Sequence, residues 1–151
     1  MRKLKEGQTI LMADDDPDDF FLAKDALKES GLVADFRLVL DGEELMDYLL
    51  RRGKYVHDRD TPMPDLILLD LNMPKKDGRE ALLEIKKNND LCRIPVVVLT
   101  TSKREKDVSY CSQLGASLFM TKPATFGALV ELMRRVREMV SKGCKTKCQS
   151  P

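Results

Sequence analysis

Six polar residues in this chain stand at the ends of apolar runs, and their types together suit the handling of a phosphoryl group. Asp14 and Asp15 follow Thr9-Ile10-Leu11-Met12-Ala13, while Asp70 and Asn72 close the run Leu66-Ile67-Leu68-Leu69. Thr100 follows Pro95-Val96-Val97-Val98-Leu99, and Lys122 follows Ser117-Leu118-Phe119-Met120-Thr121. Three carboxylates brought to one place repel each other and stay ionised together only with a cation. All-oxygen donors with few protein ligands suit Mg²⁺, and Mn²⁺ could substitute. A hydroxyl and an ammonium opposite a metal-bound carboxylate leave room for a tetrahedral dianion. Asp70, the central acid, is the natural nucleophile, forming an acyl phosphate. Singly, each residue has a mundane role: an Asp pair starts a helix, a Thr sits in a turn, a Lys is solvated. Their coincidence at four strand ends is what carries the chemical reading.

The elements that must position them can be read from periodicity. Strand one is Thr9 to Ala13; Asp16 caps a helix opening at Pro17 and stopped at Ser30-Gly31. Asp35 to Leu40 alternates as strand two, and Asp41-Gly42 turns into a helix with Leu45, Met46, Leu49 and Leu50 on one face. Residues 51–64 are polar and proline-bounded, a loop longer than usual connections. The single histidine, His57, lies there and reads as a solvated loop residue. The continuous apolar run before Asp70 suits a parallel strand covered on both faces. A helix over Arg79 to Asn88, the strand from Pro95, a helix over Glu105 to Leu114, the strand from Ser117 and a helix over Phe126 to Val140 complete the pattern. Five strands alternating with five helices predict an α/β, flavodoxin-like doubly wound (βα)5 fold. Its five-stranded parallel sheet takes the order 2-1-3-4-5. In that order strands one and three are neighbours, so their acids meet in one cleft.

Composition narrows the class. The 151 residues carry a net charge of +1, which gives no electrostatic case for nucleic acid or a membrane surface. No apolar run approaches the ~20 residues that span a bilayer. The start lacks the apolar segment of a signal peptide. A cytoplasmic protein is expected, with Cys92, Cys111, Cys144 and Cys148 as reduced thiols. Cys144 and Cys148 lack a second ligand pair at zinc spacing. One domain is expected over 1–140, with 141–151 a mobile tail.

These motifs make the chain resemble a response-regulator receiver domain, as in two-component signalling and the bacterial chemotaxis regulator. The resemblance runs from about Gln8 to Val140. It rests on Asp14-Asp15, Leu69-Asp70-Leu71-Asn72-Met73-Pro74, Thr100 and Thr121-Lys122-Pro123. The phrase from Leu71 to Glu80, the long loop before Pro64 and Leu99-Thr100-Thr101-Ser102 are similar to single-domain regulators of bacterial phytochrome histidine kinases. The resemblance implies a phosphoprotein that is not a turnover enzyme and catalyses only its own phosphorylation and slow dephosphorylation. Asp70 would take a phosphoryl group from a sensor histidine kinase. Asp15, Asp70 and the Asn72 backbone carbonyl would ligate Mg²⁺, with Asp14 acting through water. Thr100 and Lys122 would bind the phosphoryl, and Thr100 with Phe119 would form the switch. The Lys122-Pro123 bond is expected to be cis, as is common in the family. Output would be contact with a downstream protein target. A homodimer through the last strand and last two helices is also expected, with Arg134, Arg135 and Arg137 meeting acids of a second copy. Two other readings stay open. A haloacid-dehalogenase-like phosphohydrolase also uses a strand-end aspartate, but it wants a second acid where Asn72 stands. A constitutive receiver-like binding module would not need Asp70, Thr100 and Lys122 intact. A nucleotide-binding module is disfavoured, since no Gly-rich loop follows strand one.

Overall fold

The computed structural model describes residues 8–31, 34–57, 61–143 and 148. Its strands are β1 (Thr9–Ala13), β2 (Asp35–Val39), β3 (Leu66–Leu69), β4 (Val96–Thr100) and β5 (Leu118–Thr121). The helices are α1 (Pro17–Glu29), α2 (Gly42–Leu50), α3 (Gly78–Lys87), α4 (Glu105–Leu114) and α5 (Phe126–Ser141). The strands form one parallel sheet in the order β2-β1-β3-β4-β5. The chain therefore takes the expected winding, with β1 and β3 side by side at the point where strand order reverses.

Both faces of the sheet are covered, and each strand divides its side chains between them by period two. Leu11, Ala13, Ile67, Leu69, Val96 and Val98 pack under α2, α3 and α4. Ile10, Met12, Leu66, Leu68, Val97 and Leu99 pack under α1 and α5. The three central strands are buried throughout, which is why their sequences run apolar without alternation. The helix starts follow local chemistry: the Asp16, Asp41, Asp77 and Thr125 side chains accept backbone N–H groups as N-caps.

Three expectations change. Residues 51–64 remain a connection, but a short 3-10 turn at Gly53–Tyr55 stands within it. Tyr55 donates its hydroxyl to Glu44, which folds that turn onto α2. His57 is exposed, as a solvated loop residue should be. No peptide bond among the described residues is cis, so Lys122-Pro123 is trans. The Lys122 N–H bonds to the Thr100 carbonyl at 2.8 Å. That contact places the lysine without the rarer isomer. Cys92 and Cys148 are joined in a disulfide, with Cα atoms 5.2 Å apart, rather than standing as reduced thiols. Sequence separation of 56 residues hid this approach. Cys111 is a buried free thiol. The expectation of a mobile tail falls mostly on 144–147 and 149–151, outside the described residues, as does Cys144.

Candidate functional site

The strand ends converge as the topology requires. β1 places Asp14 with no exposed surface, and β3 places Asp70 at 5 % exposure beside it. Asp15 is exposed at the rim. Oxygens of Asp14, Asp15 and Asp70 lie within 4.8 Å of one another. Local turns hold two of these acids in place. The Asp14 Oδ1 accepts the Asp16 N–H at 2.9 Å, and the Asp70 Oδ1 accepts the Asn72 N–H at 3.1 Å. Asn72 is thereby pinned next to Asp70, with its side chain exposed.

Lys122 enters from the end of β5 and is the counter-charge. Its Nζ stands 2.9 Å from Asp14, 3.1 Å from Asp70 and 2.6 Å from Asp19. Its pKa is pushed up: burial opposes the charge, but the surrounding carboxylates outweigh burial. The Asp14 pKa is raised as well, the opposite of what an ammonium partner alone does to a carboxylate. Burial raises its pKa more than the Lys122 contact lowers it. Both shifts follow from one arrangement, a deeply buried acid sharing a single ammonium with two others. The Asp14 Oδ2 touches that ammonium but makes no aligned hydrogen bond. A buried carboxylate oxygen left so, within reach of two further carboxylates, fits a divalent cation held by oxygen donors.

Thr100 is wholly buried at the end of β4, between β3 and β5. Its Oγ1 accepts the Ser102 N–H at 3.3 Å. Phe119 is half-buried on β5 and packs against the α2–α4 side of the core. Asp14, Asp15, Asp70, Asn72, Thr100 and Lys122 thus lie at or just past the carboxyl ends of the strands, with Phe119 on β5.

Two participants were not foreseen. Asp19, in the first turn of α1, is the nearest partner of Lys122. The only sequence signal for it was an acid one helical step beyond the Asp16 cap. Gly78 is the other. A Cβ there would sit 2.2 Å from the Asp70 carbonyl oxygen and 2.7 Å from the Leu71 Cα. The start of α3 can therefore approach the Asp70 backbone only at a glycine. Arg137, expected on the face toward a second copy, instead donates to the Ser30 carbonyl at 3.0 Å and braces α1. Arg134 pairs with Glu131 on its own helix, and Arg135 lies against the Met120 sulfur.

A doubly wound parallel sheet with three carboxylates, a buried hydroxyl and an ammonium at its switch point defines a class of domain. It is the class whose aspartate accepts a phosphoryl group in signalling. The model of the response regulator receiver domain matches residues 10–134, and the chain belongs to that family. Response regulator Rcp1 of Synechocystis sp. is 42% identical over 129 residues, covering 85% of this chain and 86% of Rcp1. The phosphorylated cyanobacterial phytochrome response regulator RcpA superposes with a TM-score of 0.82 at 38% identity. That match covers 93% of this chain and 98% of RcpA. The Mn²⁺-bound form of Rcp1 superposes with a TM-score of 0.77 at 42% identity, covering 85% and 91% of the two chains. The chain is a two-component response regulator receiver, a signalling domain whose family is phosphorylated on aspartate by sensor histidine kinases and binds a divalent metal.

Proposed function

We propose that this chain works as a stand-alone cytoplasmic regulator that accepts a phosphoryl group on Asp70 from a phytochrome-type histidine kinase. The observation that carries the assignment is the Lys122 ammonium lying between Asp14 and Asp70, with Thr100 buried on the adjoining strand. Coverage of 86% of the response regulator Rcp1 and 98% of the phytochrome response regulator RcpA supports the stand-alone reading.

Asp15, Asp70, the Asn72 backbone carbonyl and, through water, Asp14 would hold Mg²⁺, with Mn²⁺ as a substitute. When bound, the ion neutralises the clustered carboxylates and the charge that builds on the phosphoryl oxygens. An Asp70 carboxylate oxygen attacks phosphorus as the P–N bond to the kinase histidine breaks, and the bonding pair leaves with the imidazole. Lys122 exchanges part of its contact with Asp70 for a phosphoryl oxygen, and Thr100 donates its hydroxyl to another. The space that Thr100 vacates admits the Phe119 ring, which alters the face made by α4, β5 and α5. That face meets the downstream protein or a second copy of the chain.

The test is labelling with acetyl phosphate and Mg²⁺, followed by intact-protein mass spectrometry. One acid-stable, alkali-labile phosphoryl is expected on the native chain and none on Asp70→Asn. Persistent labelling of that variant removes Asp70 from the role. Sedimentation with and without beryllofluoride tests the homodimer, and a monomer under both conditions removes it.

A further inference from the structure

A continuous line of polar contacts leads from Thr100 at the strand-end cluster through α4 to α3, and beyond Thr100 the phosphoryl chemistry makes no use of it. It begins where Thr100 Oγ1 accepts the Ser102 N–H. The Ser102 Oγ donates to Asp107 Oδ2 at 2.6 Å and accepts the Arg104 N–H at 3.4 Å. Asp107, in the first turn of α4, then takes a bidentate pair from Arg79 of α3. Nε reaches Oδ1 at 2.7 Å, and Nη2 reaches Oδ2 at 2.8 Å. The Asp107 side chain is 4 % exposed and that of Arg79 27 %, so the carboxylate end of this geometrically strict fork is shielded from water. The Arg79 bonds hold the Asp107 carboxyl far below the usual carboxylate range, so it stays charged throughout the working pH range. Helix α4 has no side-chain N-cap of its own, since Arg104 at that position makes none. Its start is tied down from α3 instead.

The consequence follows from the geometry of one hydroxyl. Thr100 Oγ1 accepts the Ser102 N–H and keeps its own hydrogen to donate, but the side-chain displacement toward a phosphoryl oxygen proposed above carries Oγ1 off that N–H. Ser102 is tethered by its own hydroxyl to Asp107. Moving Thr100 therefore strains a chain anchored on a second helix. We propose that Arg79, Asp107 and Ser102 form a latch that holds Thr100 and the start of α4 in the resting arrangement. Its strength sets how readily Asp70 takes up a phosphoryl group. The latch rests on the receiver role proposed for Asp70 and Thr100. Arg79, Asp107 and Ser102 are none of the residues assigned above to the phosphoryl group or the metal, so they act as positioning residues. Ordinary helix-to-helix bracing makes the opposite prediction. Loss of a brace loosens the fold without improving uptake of any ligand, whereas loss of a latch favours the state it opposed.

The test uses the full chain and two variants, Arg79→Gln and Ser102→Ala, titrated by NMR with Mg²⁺ alone and with Mg²⁺ plus beryllofluoride. Amide hydrogen exchange is followed without either. Both variants are expected to bind beryllofluoride about fivefold or more tightly than the native chain, the low end of ordinary coupling between sites. Affinity for Mg²⁺ alone should stay within about twofold, and amides at the start of α4 should exchange about tenfold faster. Unchanged or weaker beryllofluoride binding, with Mg²⁺ affinity intact, overturns the latch. If the native chain itself fails to bind beryllofluoride, the role of Asp70 falls. Exchange then judges the latch separately: native protection of α4 in both variants overturns it, and selective loss there sustains the tether.

Discussion

Asp14 has no exposed surface, and one of its oxygens meets only the Lys122 ammonium. Burial raises its pKa, so the folded chain binds this proton more tightly than the unfolded chain does. The sign is then fixed: Asp14 costs stability once pH rises above its unfolded value, and the cost persists at pH 7. Asp14→Asn keeps the bond to the Asp16 N–H and removes the buried charge. It should raise stability in metal-free buffer by about 0.5–2 kcal/mol, as relieving a functional compromise often does. Stabilisation by Mg²⁺ should be lost. Thermal melts with and without the ion check both, and a less stable variant refutes the argument. Lys86 is a second buried charge, 4 % exposed, donating to the Cys92 and Ile94 carbonyls. Burial pushes its pKa down from 10.5 to about 8. Between those values the unfolded chain binds a proton that the folded chain lacks, so this group adds stability as pH rises through that window. Relative to Lys86→Met, the native protein should gain stability between pH 8 and 10.5. A gap in melting temperature that does not change with pH would show that Lys86 does not titrate there.

At the scale of elements, the turn from β3 into α3 carries Asp70 and is squeezed between two glycines. A Cβ at Gly42 would lie 2.0 Å from the Lys76 carbonyl oxygen, and one at Gly78 would lie 2.2 Å from that of Asp70. Both obstacles are backbone, which cannot swing aside as a side chain does. Gly78→Ala should therefore cost about 1–3 kcal/mol, the range for overpacked sites, and slow labelling of Asp70. Gly127, near the start of α5, has nothing within 4 Å of its would-be Cβ. There Gly127→Ala should stabilise by about 0.4–1 kcal/mol, because only the unfolded chain loses freedom. Denaturant unfolding of the pair separates steric crowding from helix propensity. Equal effects of one sign would leave the close approach at Gly78 without consequence.

For the molecule as a whole, two layers of helix close over one sheet, and a covalent link joins distant parts. Cys92 lies in the connection from α3 to β4, and Cys148 lies beyond α5. A bond closing 56 residues removes freedom chiefly from the unfolded chain. Reduction should lower stability by about 2–4 kcal/mol. Melting with and without reductant measures this, and Cys148→Ser should abolish the difference. No change on reduction in the native chain would mean the link bears no load.

The sequence by itself determined the five strands and five helices, their parallel winding and which six polar residues stand at or just past the strand ends. Apolar periodicity, helix caps and strand-end polarity arise from neighbours along the chain, so they are written locally. Asp14 and Asp70 could be placed together because a right-handed parallel winding leaves little choice of strand order. Only the tertiary structure decided that Asp19 shares Lys122, that Arg79 grips Asp107 and that Arg137 braces α1. It also decided that Cys92 meets Cys148. These contacts join residues 28 to 107 positions apart. They depend on how far two packed helices or a loop and a terminus come to stand from one another, and no repeat along the chain encodes that distance.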